Sequence, residues 1–420
     1  MKLLEQEKAI LVGVELHGES NWPLKESLSE LAALTSTAGA VVVEKVTQSR
    51  DKPDSRFYIG TGKMEELKAL VASRGADLVV FDCELGPSQI RNLEAELDVK
   101  VVDRTSLILD IFAQHAHSRE GKLQVELAQT NYTLTHLIGK GELMSRLGGG
   151  IGTRGPGETK LETDRRVIKS RISKLRKDIE KIREERGVKR ASRKSALLPV
   201  AAIVGYTNAG KSTLLNSLTN AGVLVEDKLF ATLDPTVRRL KLPNGLDVLI
   251  TDTVGFIHKL PHQLVESFHA TLEEVAEADM LFHVVDATSS FIEQKIQAVY
   301  RVLEEIKAIA KPMITIFNKV DLSDRVKLSS EIKQNLKPYV EVSALKRQGI
   351  DQLISTIERE LEKIMTVMDF EIPINEMDMV HLLHERGRVE SEKFDGESVI
   401  IKARVNEITA NRLKKYLKST

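Results

Sequence analysis

The chain has 420 residues, and its 61 Lys and Arg balance 61 Asp and Glu, so no global charge recruits an anionic partner and any nucleic acid has to be met by a local patch. At roughly 150 residues per domain, the length predicts about three domains with ample chain to bury their cores. A single cysteine, Cys83, excludes an internal disulfide, while the charged start Met1-Lys2-Leu3-Leu4-Glu5-Gln6-Glu7-Lys8 and the lack of a ~20-residue apolar run predict a cytoplasmic chain without membrane insertion.

In chain order, residues 9–15, 40–46, 77–82 and 100–103 read as strands separated by helical stretches such as 64–74 and 88–97, so residues 1–115 are expected to form a small α/β layer. Cys83 follows one of these strands and reads as structural. Gly60-Thr61-Gly62-Lys63 is like a phosphate loop but lacks its spacing, and reads as a turn into a helix. His115 and His117 read as residues at the start of a helix, because no third ligand stands at metal-binding spacing.

Residues 116–196 carry a different pattern. Leu123, Leu127, Thr130, Leu134 and Leu137 recur at spacings of four and three, and Leu161, Ile168, Ile172, Leu175, Ile179 and Ile182 do so after a first step of seven. Each set lays one apolar seam along a helix, which predicts an antiparallel helical hairpin. Between the helices, Gly139, Gly141, Gly148, Gly149, Gly150, Gly152, Gly155 and Gly157, with Arg146, Arg154, Pro156 and Lys160, read as one loop. A glycine-rich tip lets backbone approach a phosphate or base closely. From 151 to 195, sixteen Lys or Arg stand against seven Asp or Glu. An RNA-probing tip on a basic helix is the sharper reading; a turn without ligand and a solvated charged face are the plainer ones.

The apolar run 198–204 then delivers Gly205-Tyr206-Thr207-Asn208-Ala209-Gly210-Lys211-Ser212, a complete G-x-x-x-x-G-K-S phosphate loop, into a helix opened by Thr213. Backbone amides along the loop converge on a β-phosphate at the positive helix end, Lys211 is expected on the β- and γ-phosphates, and Ser212 on Mg²⁺. Leu229-Phe230-Ala231-Thr232-Leu233-Asp234-Pro235 stands where a switch segment is expected; Phe230 is placed beside the nucleotide, and Thr232, with Thr236 competing, offers a hydroxyl to Mg²⁺. Asp252-Thr253-Val254-Gly255 closes the strand 248–251, with Asp252 holding Mg²⁺ through water and the Gly255 amide reaching the γ-phosphate.

The base is read by Asn318-Lys319-Val320-Asp321 after the run 313–317. The Asp321 carboxylate can accept from guanine N1–H and its exocyclic amine together, a pair that adenine lacks, and an unsatisfied buried carboxylate disfavours ATP. Ser343-Ala344-Leu345 supplies the contact beside the base. Lys211, Asn208, Gly255 and Thr232 are the catalytic candidates.

This order of motifs over 198–364 resembles the translation-factor-related P-loop GTPases, which implies a mostly parallel sheet with crossover helices at 197–365. Phe256 departs from their common pattern, in which a glutamine orients the attacking water. The resemblance implies a substitute: Asn208 holding a potassium ion near the β- and γ-phosphates, or a partner that reshapes the switches. Residues 366–420, with strands at 369–373 and 398–405 and helices at 377–386 and 407–417, predict a small C-terminal α/β accessory domain.

The string Gly148-Gly149-Gly150-Ile151-Gly152-Thr153-Arg154-Gly155-Pro156-Gly157-Glu158-Thr159-Lys160-Leu161-Glu162-Thr163-Asp164-Arg165-Arg166, ahead of that phosphate loop and the 230–235 switch, resembles the HflX family along essentially the whole chain. The resemblance implies a cytosolic enzyme that hydrolyses GTP to GDP, binds the large ribosomal subunit and its RNA, and splits or rescues stalled ribosomes. It also implies a monomer without DNA partner, and a further nucleotide in residues 1–115. A ribosome-assembly switch and an ATP-assisted RNA-remodelling enzyme are the alternative functions.

Overall fold

The computed structural model describes residues 6–18, 22–146, 156–194, 198–219, 229–230, 236–259, 269–322 and 334–418. Contacts group the chain into two compact units, one comprising Met1–Ile182, Asp227–Leu233 and His258–His269, the other Arg183–Glu226, Asp234–Ile257 and Ala270–Thr420.

The first unit opens with β1 (Lys8–Leu16), α1 (Leu24–Thr37), β2 (Val41–Arg50), α2 (Thr61–Arg74), β3 (Leu78–Phe81), α3 (Pro87–Leu97), β4 (Lys100–Asp103) and α4 (Arg104–His115). The strands form one parallel sheet in the order β2-β1-β3-β4. Helical crossovers leave a parallel sheet covered on its faces, which is why 9–12 and 78–81 are continuous apolar runs and are buried throughout. Met64, Leu67 and Val71 of α2 and Leu93 and Leu97 of α3 close one core over the sheet. Gly60 caps α2, so Thr61, Gly62 and Lys63 form its first turn. His115 ends α4, with Nδ1 at 2.8 Å from the Ile111 carbonyl, and does not start a helix; extended backbone at Ala116 separates α4 from the next helix, which opens at Arg119. Burial pushes the Cys83 thiol up to about 12, as suits a packed, unreactive side chain.

Two long helices follow, α5 (Arg119–Arg146) and α6 (Pro156–Lys194). Leu127, Ile172 and Leu175 form their buried seam, flanked by Leu123, Leu134, Ile168 and Ile179. Outside it, Arg171 donates to Glu126 from Nε at 2.8 Å and from Nη2. Gly139 and Gly141 lie within α5, and Pro156, Gly157 and Lys160 within α6, so the single loop read over 139–157 is corrected at both ends. Glycine costs a helix only about 1 kcal/mol per residue, and proline is at home in a first helical turn, so neither ends a long helix. The string 147–155 lies outside the described residues.

In the second unit, β5 (Val200–Gly205), α7 (Lys211–Thr219), β6 (Thr236–Lys241), β7 (Asp247–Asp252), α8 (His269–Glu277), β8 (Met280–Asp286), α9 (Ile292–Glu305), β9 (Met313–Asn318), β10 (Tyr339–Glu341) and α10 (Ile350–Ile364) build a six-stranded sheet ordered β10-β9-β8-β5-β7-β6. Only β6 runs antiparallel. The carboxyl ends of β5, β7 and β9 therefore deliver residues 205, 252 and 318 to one edge, where doubly wound sheets bind ligands.

Three further strands, β11 (Thr366–Pro373), β12 (Arg388–Asp395) and β13 (Ser398–Val405), form an antiparallel sheet ordered β11-β13-β12, with helices α11 (Met377–Arg386) and α12 (Glu407–Arg412). Val399, Ile401, Ala403 and Val405 alternate onto one buried face with Val380 and Leu383 of α11. The helix expected over 407–417 ends at Arg412 and resumes as a 3₁₀ turn at Lys414–Tyr416, where Tyr416 is buried. β12 was absent from the sequence reading because it is a solvated edge strand without apolar alternation. No described helix is long and apolar enough to cross a membrane.

Candidate nucleotide site

The phosphate loop leaves β5 at Gly205 and ends where Lys211 opens α7. Its crest is exposed Asn208 at φ +58°, a left-handed conformation that asparagine tolerates better than most residues. Gly210, at φ +91°, sits so close to Asn318 that an added Cβ would lie 2.2 Å from Nδ2, so only glycine fits there. Lys211 is buried, and its Nζ donates to the Tyr206 carbonyl at 2.9 Å. Burial lowers its ammonium to about 8, and Asp252 opposes that shift. Thr213 is half-buried in the first turn of α7.

Asp252 ends β7, and its Oδ2 accepts from Ser212 Oγ at 2.7 Å. Two hard oxygen donors thus meet beside the phosphate loop, a donor set that fits Mg²⁺. Backbone bonds tie the following segment to the loop: Thr207 donates to the Phe256 carbonyl at 2.8 Å, and Phe256 to that of Gly205 at 3.1 Å. A Cβ on Gly255 would stand 2.8 Å from both Lys211 Nζ and the Thr207 side chain, so its glycine is a packing requirement.

Asn318 is the central brace. Its Nδ2 donates to the Ala209 carbonyl at 2.9 Å and its Oδ1 accepts from the Ala344 amide at 3.0 Å, so one buried amide joins the phosphate loop to the Ser343 segment. Lys319 Nζ donates to the Asn208 carbonyl at 2.8 Å and pairs with Asp286 at 2.9 Å. The Ser343 hydroxyl is the main influence holding the Asp321 carboxyl below its usual range, with Lys346 at 3.4 Å adding to it. Leu345 is 78% exposed, an apolar side chain presented next to these groups.

The structure therefore brings Gly205 to Thr213, Asp252, Gly255, Asn318, Lys319, Asp321 and Ser343 to Leu345 together in one unit. Thr232 lies outside the described residues, while Thr236 opens β6 opposite Asp252. Phe230, expected beside the nucleotide, is buried in the first unit with its ring edge-on to that of Phe112 at 4.5 Å, a contact that suits an apolar ring.

Residues 25–113 match the family described as GTP-binding GTPase N-terminal, and 115–193 its middle region. Residues 200–319 match the 50S ribosome-binding GTPase family, and 329–420 the HflX C-terminal domain. The GTPase HflX of Caldanaerobacter subterraneus subsp. tengcongensis is 50% identical over 413 residues, 98% of this chain and 94% of that protein. The chain belongs to the HflX family of GTPases. Escherichia coli GTPase HflX is 40% identical over 97% of this chain and 96% of its own. A crystal structure of a GTP-binding protein from Sulfolobus solfataricus in complex with GDP is 27% identical, with a TM-score of 0.46, covering 85% of this chain and 99% of that one.

As an HflX GTPase the protein hydrolyses GTP. Two polar groups of its site escaped the sequence reading, Asp286 and Lys346. Asp286 had a signal, since it ends the apolar strand β8 at the same sheet edge as Asn318. Lys346 had none, because its partner Asp321 is 25 residues away in sequence.

Proposed function

We propose that this HflX GTPase binds the large ribosomal subunit through its helical hairpin and, in its GTP state, dissociates or rescues stalled ribosomes. The observation that carries the reading is α6: Arg166, Lys169, Arg171, Lys174, Arg176, Lys177 and Lys181 are all exposed on a helix whose opposite side is the apolar seam. Such a row suits the phosphates of folded RNA. The stretches 1–115, 116–196, 197–365 and 366–420 are taken as functional domains, the second RNA-facing and the third nucleotide-binding.

In the GTPase domain, Ser212 and Asp252 are the residues to hold Mg²⁺, which neutralises charge on the β- and γ-phosphates when bound. Lys211 offsets further negative charge, the Gly255 amide faces the γ-phosphate, and Asp321 selects guanine. Phe256 has no proton or lone pair for water, so Asn208 with potassium, or the ribosome, completes the site. Incubating purified ribosomes with the protein and a non-hydrolysable GTP analogue, and following light scattering, tests the function. Subunit dissociation is expected; stable binding without dissociation would instead favour an assembly switch.

A further inference from the structure

Asp286 ends β8 outside the motifs of the site, and the register of β8 on β9 sets it beside Asn318, with the Ala287 amide donating to the Asn318 carbonyl at 2.9 Å. Its two carboxylate oxygens have separate partners. Oδ1 accepts from the Thr288 amide at 2.9 Å and from the Thr288 hydroxyl at 2.6 Å, so the carboxylate is locked against the turn that leaves β8. Oδ2 faces Lys319 Nζ at 2.9 Å. Asp286, Thr288, Lys319 and the phosphate loop all belong to the second unit.

The Lys319 ammonium is shared with the phosphate loop. Nζ donates to the Asn208 carbonyl at 2.8 Å, while the neighbouring Asn318 side chain donates to the Ala209 carbonyl at 2.9 Å. Two successive residues of Asn318-Lys319-Val320-Asp321 thus hold two successive carbonyls at the crest of the loop. Lys319 and Asn208 both stand in the left-handed region, at φ +66° and +58°, which residues with a β-carbon keep only where their surroundings impose it. The two ties differ in stiffness. Asn318 is buried, and its short amide is fixed at both ends, by Ala209 and by Ala344. The Lys319 ammonium ends a flexible four-carbon stem, and the Asp286 carboxylate, itself held by Thr288, is the charged partner that restricts it.

We propose that Asp286 is a positioning residue for nucleotide binding. It orients the Lys319 ammonium onto the Asn208 carbonyl, and through that bond keeps the crest of the phosphate loop in register with the segment that carries Asp321. The proposal rests on the nucleotide-site reading above. A guanine nucleotide engages both parts at once, phosphates on the loop and base at Asp321, so the tie governs how long the nucleotide stays bound more than how fast the γ-phosphate is cleaved. The sign of the effect separates positioning from bare charge. Nucleotide phosphates are anionic, so removing a nearby carboxylate strengthens their binding if Asp286 acts by charge alone, and weakens it if Asp286 acts by holding Lys319. Asparagine is the apt replacement, since its single acceptor oxygen cannot serve both sides: either Lys319 or Thr288 then meets an N–H donor.

The test compares wild type, Asp286→Asn, Lys319→Met and the double variant in the release of a fluorescent GDP analogue followed by stopped flow, alongside KM and kcat for GTP without ribosomes. Thr288→Val keeps the carboxylate and removes the hydroxyl that fixes it, so it remains informative if Asp286→Asn does not fold. Expected in Asp286→Asn are release about tenfold faster and KM raised by a similar factor, with kcat falling less than either. Thr288→Val should show a smaller change of the same sign. The double variant releases the analogue no faster than Lys319→Met, because Asp286 acts through that side chain. Unchanged or slower release in folded Asp286→Asn, or in Thr288→Val where Asp286→Asn does not fold, overturns the proposal. So does a double variant in which the two effects simply multiply, which marks Asp286 as a structural residue independent of Lys319. Lys211→Ala, run beside them, tests the site reading separately: wild-type GTP turnover in that variant refutes the site and not merely the tie.

Discussion

Lys211 combines burial, a single carbonyl partner and a lowered pKa of about 8. Bound phosphates favour its charged form, so nucleotide binding raises its pKa and takes up a proton wherever the free protein has lost one. GTP affinity is therefore expected to be level below about pH 8 and to weaken by up to tenfold per unit above it, measured by fluorescence titration at constant salt. A flat profile up to pH 10 would show that Lys211 does not face the phosphates. Asp321 supports a second prediction. Asp321→Asn replaces an acceptor by an amide donor, so GTP binding should fall and XTP binding rise, since xanthine presents a carbonyl where guanine has its amine. Equal loss of both nucleotides would contradict the guanine assignment. At Asn208 the left-handed backbone guides the choice of variant: Asn208→Gly accepts φ +58° without strain, whereas Asn208→Ala adds about 1 kcal/mol of it. Replacing sodium by potassium at fixed ionic strength should raise wild-type turnover and leave Asn208→Gly unchanged. Identical wild-type rates in the two salts exclude a potassium role.

Among the elements, α6 divides its residues sharply. Ile172 and Leu175 are buried against α5, while Arg166 and Lys169 are exposed. Arg171 is already held by Glu126, so part of its charge is spoken for within the hairpin. Charge reversal at Arg166 and Lys169 is thus expected to flatten the salt dependence of ribosome affinity by about 0.7–0.9 logarithmic units per lost phosphate contact, and to leave GTP turnover intact. An unchanged slope across several salt concentrations would move the RNA-facing surface off α6. The heptad spacing of both helices was legible because side-chain periodicity is a local property of the chain. Their lengths were not. Gly139, Gly141, Pro156 and Gly157 look like breakers in isolation, yet their cost is modest against the packing of long helices that continue on either side. β12 was hidden for the opposite reason: its pairing with β13 comes from backbone bonds that leave no apolar signature.

For the molecule as a whole, His283 sets an acid limit. It lies in β8 between Val204 of β5 and Thr315 of β9, and burial lowers its imidazole from 6.5 to about 3. Below pH 6.5 the unfolded chain takes a proton that the folded sheet refuses, so the stabilising contribution present above that pH is lost as pH falls towards 3, at up to about 1.4 kcal/mol per unit. Thermal unfolding followed from pH 7.5 to 4.5 should show that decline in the GTPase core, and His283→Leu should flatten it. Equal slopes for the two proteins would assign acid sensitivity to other groups.

By itself the sequence determined the nucleotide chemistry, because a phosphate loop, Asp252-Thr253-Val254-Gly255 and Asn318-Lys319-Val320-Asp321 are contiguous strings whose function depends on spacing within a few residues. It likewise determined the parallel sheets, whose buried central strands 9–12 and 201–204 must be apolar on both faces. Tertiary structure alone decided which distant groups meet. Arg104 finds Glu30 74 residues away and the His258 carbonyl 154 residues away, Lys319 finds Asp286, and Phe230 settles against Phe112. None of these pairings leaves a periodicity or a motif behind. The polar pairings arise because burial forbids such groups to stay unpaired, the two rings meet because both leave water, and both kinds of selection act on the three-dimensional neighbourhood and not on the order of the chain.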